Sequence, residues 1–71
     1  MQGNLKDIVP ADEASQWLED RKNFVLSNFA EAVSEKSGNF QFETSVLTES
    51  DEDDIPDGQV LAILYYEFVE D

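Results

Sequence analysis

The stretch Gln59–Val69, QVLAILYYEFV, constrains the fold more than any other part of the chain. It is the longest apolar run, and its β-branched and aromatic residues suit an extended strand. The most acidic run, Glu49–Asp57, ESDEDDIPD, comes just before it. The best core strand therefore starts beside the densest negative charge. Any fold has to bury the first and leave the second in water.

As a strand, Gln59–Val69 divides into two faces. One holds Val60, Ala62, Leu64, Tyr66 and Phe68, the other Leu61, Ile63, Tyr65, Glu67 and Val69. Glu67 marks the second set as outward, although most of it is apolar. Upstream, residues 39–48 supply a partner. Phe40, Phe42, Thr44 and Val46 alternate with Gln41, Glu43 and Ser45, the pattern of a half-buried strand. Pro56-Asp57-Gly58 has turn chemistry. The two strands, 39–48 and 59–69, form a hairpin closed by an acidic turn over 49–58.

One face of a two-stranded hairpin needs a cover. The sequence offers a helix over residues 10–37. Pro10 suits the first helical position, and Asp12 and Glu13 suit the positive end of the helix dipole. Ala14, Trp17, Leu18, Val25, Phe29 and Ala32 recur at helical spacings, and Phe24, Leu26 and Val33 widen the stripe. Lys36 falls in the last turn and Gly38 serves as the stop. Arg21 lies near the middle of the apolar stripe. It either pairs with a hairpin carboxylate, lies across a dimer seam with its stem buried, or snorkels to water from the helix edge. Residues 1–9 form an extended lead-in, in which Leu5, Ile8 and Val9 suit a short edge strand.

The expected fold is α+β, a single domain over residues 1–71 with one long amphipathic helix packed on a long antiparallel hairpin. A helix over 11–36 would be about 39 Å long at ~1.5 Å per residue. The strand 59–69 would be about 36 Å at ~3.3 Å per residue. A compact globule of this length has a radius of gyration near 11 Å, so the body should be elongated. The outward Leu61, Ile63, Tyr65 and Val69 have no obvious intrachain cover. They are the expected self-association seam of a homodimer.

Composition narrows the chemistry. The chain has no cysteine and no histidine, so it can build neither a disulfide framework nor a thiolate or His-ligated metal site, and no Ser–His or Cys–His nucleophile. The N-terminus lacks a signal-peptide pattern, and no apolar run reaches the ~18–20 residues that span a bilayer. A soluble cytoplasmic protein is the expectation. Seventeen acids oppose four bases, for a formal net charge of −13. Residues 37–71 hold ten acids and no base, whereas residues 1–36 hold seven acids and all four bases. Such a charge repels nucleic acid and anionic membranes and attracts basic proteins.

The candidate partner-binding residues are Glu49, Asp51, Glu52, Asp53, Asp54 and Asp57 in the turn, with Glu43, Glu67 and Glu70 extending the field along the hairpin. An extended chain rises ~3.3–3.6 Å per residue, close to the ~3.4 Å per nucleotide of a DNA strand, so these carboxylates approach phosphate-like density. Asp12, Glu13, Asp20 and Glu31 would add to the field along the helix. The leading expectation is a small acidic protein that occludes a basic, nucleic-acid-binding surface of a partner. Phage and mobile-element inhibitors and acidic antitoxins share this composition. The alternative is a structural or assembly subunit, whose interface is the apolar strand 59–69 and whose acids only confer solubility.

Two further readings of the turn are weaker. With Asp53 first and Gly58 sixth, an EF-hand alignment puts Ile55 third and Leu64 twelfth, where calcium needs oxygen ligands. Thr48 and Ser50, each with acids downstream, are candidate phosphorylation sites. No residue pattern supports catalysis. No enzyme activity, cofactor or metal is expected.

Overall fold

The last strand in the sequence is the middle strand of the sheet. The computed structural model of the chain describes residues 1–51 and 53–71. Its elements are β1 (Gln2–Pro10), α1 (Ala14–Asn28), β2 (Gly38–Leu47) and β3 (Gln59–Glu70), with short 3-10 turns at Ala11–Glu13 and Glu31–Val33. The strand order is β1-β3-β2, and β3 pairs antiparallel with both neighbours. The fold is α+β, a helix packed on an antiparallel hairpin with an N-terminal strand added along the free edge of β3.

Register fixes the two faces. Val9, Leu5 and Gly3 on β1 stand opposite Val60, Leu64 and Tyr66 on β3. On β2, Phe40 and Phe42 stand opposite Phe68 and Tyr66. These rows lie under α1. With Ala14, Leu18 and Val25 of the helix they form the core, and Trp17 and Phe29 pack against it. Phe29 stacks on Tyr66 at 5.6 Å between ring centroids, and Phe40 meets Phe68 edge-on at 5.3 Å. Gly3 is needed where it is, because a Cβ there would lie 2.6 Å from the Tyr66 hydroxyl.

The helix is shorter than its sequence pattern. α1 stops at Asn28, where Asn28 Nδ2 donates to the Phe24 carbonyl and Phe29 N–H to that of Val25. Gly38 opens β2 and does not end the helix. Geometry supplies the reason. The connection from β1 to β2 has to retrace one strand length, about 30 Å for nine residues at ~3.3 Å each. A continuous helix over residues 10–37 would measure about 42 Å at ~1.5 Å per residue and overshoot. Fifteen helical residues and two short turns make the return. The buried stripe is also narrower than expected. Phe24 and Leu26 remain 43% and 46% exposed. Three strands ~4.8 Å apart make a sheet only about 10 Å across between its outer strands, roughly the width of one helix, so residues flanking the central stripe have nothing to cover them.

The body is elongated, with principal extents of 45 × 21 × 14 Å and a radius of gyration of 13.9 Å. Among the described residues, no helix is long and apolar enough to cross a membrane.

Candidate functional site

The residues between β2 and β3, 48–58, carry the densest charge, and three contacts position them. At the return into β3, Gln59 N–H donates to the Pro56 carbonyl at 3.1 Å, closing a tight turn. Gly58 holds φ +82° in that turn, a conformation that side-chain-bearing residues rarely adopt. The Gly58 carbonyl accepts from Ala11 N–H at 3.0 Å, tying the loop to the start of the helical segment. Finally, Asp53 Oδ2 lies 3.8 Å from Lys6 Nζ. Lys6 pairs in register with Ile63 and so belongs to the sheet face opposite the helix. The loop therefore leaves β2, passes over β3 and reaches β1, strapping one end of the open face.

One departure from expectation lies at this end of the sheet. In the candidate seam, Leu61 is only 4% exposed although it lies on the face away from the helix. It sits between Ile8 and Leu47, at the end the loop crosses, where Ile55 is half-buried. Ile63 is half-buried between Lys6 and Ser45. Only Tyr65 and Val69, 46% and 39% exposed, remain open. Tyr65 has Asn4 and Glu43 on either side, and Val69 pairs with Asn39. The expected apolar stripe is one residue wide, partly covered, and bordered by polar side chains. The expectation that all four seam residues lacked intrachain cover is corrected at Leu61. The missing information was the pairing of β1, which makes β3 a central strand.

The candidate acids fall into three places. Glu49, Asp51, Asp54 and Asp57 are exposed at the loop end, and Asp53 is half-buried there beside Lys6. Glu52 lies outside the described residues. Glu43 and Glu67 stand further along the open face. Glu70 is at the opposite end, 3.3 Å from Lys36. Both ion pairs are solvent-exposed, so each contributes at most about 1 kcal/mol. Two acids join the loop that sequence reasoning had placed on a separate helical stripe. The Ala11–Gly58 hydrogen bond brings Asp12 and Glu13, in the turn that follows, to the loop end. The only sequence signal for this was a β1 strand long enough to run antiparallel to β3 and end beside Gln59.

The open face beyond the strap is concave. A shallow dish of about 440 Å³ is lined by Gln2, Asn4, Gln41, Glu43, Tyr65 and Glu67, with Gly3 and Tyr66 completing it. A smaller depression of about 290 Å³ lies beside Trp17, bordered by Asp12, Glu13 and Asp20. On the helix, Arg21 spreads over two rings, its guanidinium carbon 5.8 Å from the centroid of Trp17 and 5.6 Å from that of Phe24. Among the described residues it pairs with no hairpin carboxylate, and its Nε is buried without a hydrogen-bond partner.

Among the described residues, no group of three or more acidic side chains is placed to hold an ion. The loop is flanked by strands, where an EF-hand has helices. Thr48 is exposed and Ser50 half-buried.

Comparison with known protein families, curated proteins and solved structures finds no match to this chain.

Proposed function

We propose that the chain is a small acidic binding protein that occludes a basic, nucleic-acid-binding surface on a partner. The observation that supports this reading is the loop end. A turn rich in carboxylates, tied by the Ala11–Gly58 hydrogen bond, gathers Glu49, Asp51, Asp53, Asp54 and Asp57 with Asp12 and Glu13 toward one end of a 45 Å body. Lys6 is the one base placed against that loop among the described residues, and it answers only Asp53. At 21 × 14 Å across its shorter axes, the body is narrow enough for this negatively charged end to enter a positively lined groove. Long-range attraction from a net charge of −13 would steer the encounter, and aromatic or aliphatic contacts would then hold it.

Affinity capture from a lysate of the source organism at low salt, followed by a salt gradient, tests the reading. Basic nucleic-acid-binding proteins should elute together as salt rises, and duplex DNA should compete for them. The triple substitution Asp51→Asn, Asp53→Asn and Asp54→Asn should abolish capture. Capture that survives both high salt and that substitution would rule out electrostatic occlusion.

The exposure of Tyr65 and Val69 keeps a second reading in view, in which strand 59–69 is the interface of an assembly or a homodimer. The burial of Leu61 leaves that interface less apolar area, and bringing two copies together opposes −13 with −13. Sedimentation equilibrium separates the two. A dimer that forms at high salt and is lost in Tyr65→Ser would favour the assembly reading.

A further inference from the structure

The dish on the open face has chemistry of its own. We propose that it receives a guanidinium group, the side chain of an arginine on the basic partner. Tyr65 stands in the middle of the dish and is 46% exposed, which leaves part of its ring open to stacking. Glu43 is its direct cross-strand neighbour, and such pairs have Cβ atoms about 4.5–5.5 Å apart. Glu67 follows two residues along β3 on the same face, about 6.6 Å on at ~3.3 Å per residue. A planar cation lying on the Tyr65 ring thus has a carboxylate within reach on two sides.

Neither carboxylate is answered among the described residues. Among the described residues, Glu43 and Glu67 take part in no ion pair and no side-chain hydrogen bond. The nearest base on this face, Lys6, is one row away opposite Ile63 and is engaged by Asp53. Asn4, Gln2 and Gln41 border the same two rows, and their amide oxygens are acceptors for the remaining guanidinium N–H groups. Three paired strands fix the backbone beneath these groups, so binding has only side-chain rotamers to order.

The geometry favours arginine over lysine. A guanidinium is flat, weakly hydrated and forked, so it stacks on a ring while donating to carboxylates at its edge. An ammonium is a compact, strongly hydrated charge that has no plane to lay on Tyr65. The smaller depression beside Trp17 is a poorer receptor, because Arg21 already lies over that ring and Asp20 already accepts from Gln16. The inference rests on the occlusion reading for its partner, a basic protein, while the chemistry of the dish stands apart from it.

The test uses the whole chain, labelled with ¹⁵N, and two probes at constant ionic strength: ethylguanidinium chloride and ethylammonium chloride. With ethylguanidinium, the amide signals of Asn4, Glu43, Tyr65 and Glu67 should shift saturably. Ethylammonium should bind about 2–5-fold more weakly, the ratio for a stacking contribution of ~0.5–1 kcal/mol. Tyr65→Leu should remove that preference, and Glu43→Gln with Glu67→Gln should remove saturable binding of both cations. Because these side chains are exposed, the rest of each variant's spectrum reports that the fold is intact. Equal shifts from both cations, shifts centred on the acidic loop, or an unchanged response in the variants would overturn the proposal. The two readings fail separately. A dish that ignores guanidinium leaves capture by the loop untouched, while Asp51→Asn with Asp54→Asn, which keeps the Lys6–Asp53 pair in place, should weaken capture and leave guanidinium binding as it was.

Discussion

At the scale of single residues, stability rests on a few fully enclosed side chains. Leu64 is 0% exposed, at the centre of β3 and beneath α1. Truncating it removes buried surface and leaves a cavity, so Leu64→Ala should cost about 2–5 kcal/mol. A domain of this length has only about 4–11 kcal/mol in total, at ~0.05–0.15 kcal/mol per residue. The urea midpoint of that variant should therefore fall by about a fifth at the least. Arg21 makes the contrast. Its buried, unpartnered Nε costs about 1–3 kcal/mol, and its contacts with the Trp17 and Phe24 rings return about 0.5–1 kcal/mol each. Arg21→Met keeps the stem and removes both effects. It should change the unfolding free energy, read from the same urea curve, by no more than about 2 kcal/mol. That Arg21 stays on the apolar stripe was legible from its position. That it settles on two aromatic rings, one turn either way along the helix, depended on finding no carboxylate opposite it.

At the scale of elements, the strands could be read from the sequence, whereas the helix length and the strand order could not. Alternation from Phe40 to Val46 and the apolar run from Gln59 gave β2 and β3 nearly to the residue, since the period of two survives in any sheet. The helical pattern continued past Asn28 through Ala32 and Val33, because a 3-10 turn at Glu31–Val33 preserves similar spacings. Only the distance between strand ends reveals that the helix has to stop. The placement of β1 was the larger omission. Leu5, Ile8 and Val9 look like a short edge strand, and nothing local states which edge it takes. Its choice of β3 decides that Leu61 is buried, that Asp12 and Glu13 join the loop, and that Asn4 borders the dish. The shortened helix carries its own prediction. Leu26 lies on the uncovered flank of α1, so Leu26→Lys should change thermal stability by less than about 0.5 kcal/mol. A loss of several kcal/mol would mean that this flank is packed against something.

At the scale of the whole molecule, charge opposes compactness. All four bases lie in the first half of the sequence, and the two ion pairs among the described residues, Lys6–Asp53 and Lys36–Glu70, engage just two of them. Self-repulsion of a net −13 therefore acts against folding at low ionic strength and is screened as the Debye length falls from ~30 Å at 0.01 M to ~3 Å at 1 M. The melting temperature should rise with sodium chloride across that range, and differential scanning calorimetry reads it directly. A melting temperature that fell with salt would mean that attractive ion pairs outweigh repulsion. The same screening weakens partner binding under the occlusion reading. One titration should thus raise stability and lower affinity together, a combination that apolar assembly would not produce.

The middle strand of the sheet is also the last to be made, and that orders events in time. β2 meets β3 across a hairpin, beginning with Leu47 and Leu61, fourteen residues apart. β1 waits for partners 49 to 65 residues downstream, from Pro10–Gln59 to Gln2–Glu67. Closing so long a loop is slow compared with zipping a hairpin. The hairpin should therefore form first, with the β3 edge unpaired until β1 arrives. During that interval the nascent chain is most open to pairing with the wrong strand. The acidic loop stands at one end of that edge, where Asp53 meets Lys6, and its charge would discourage another copy of the chain from pairing there while the chain folds.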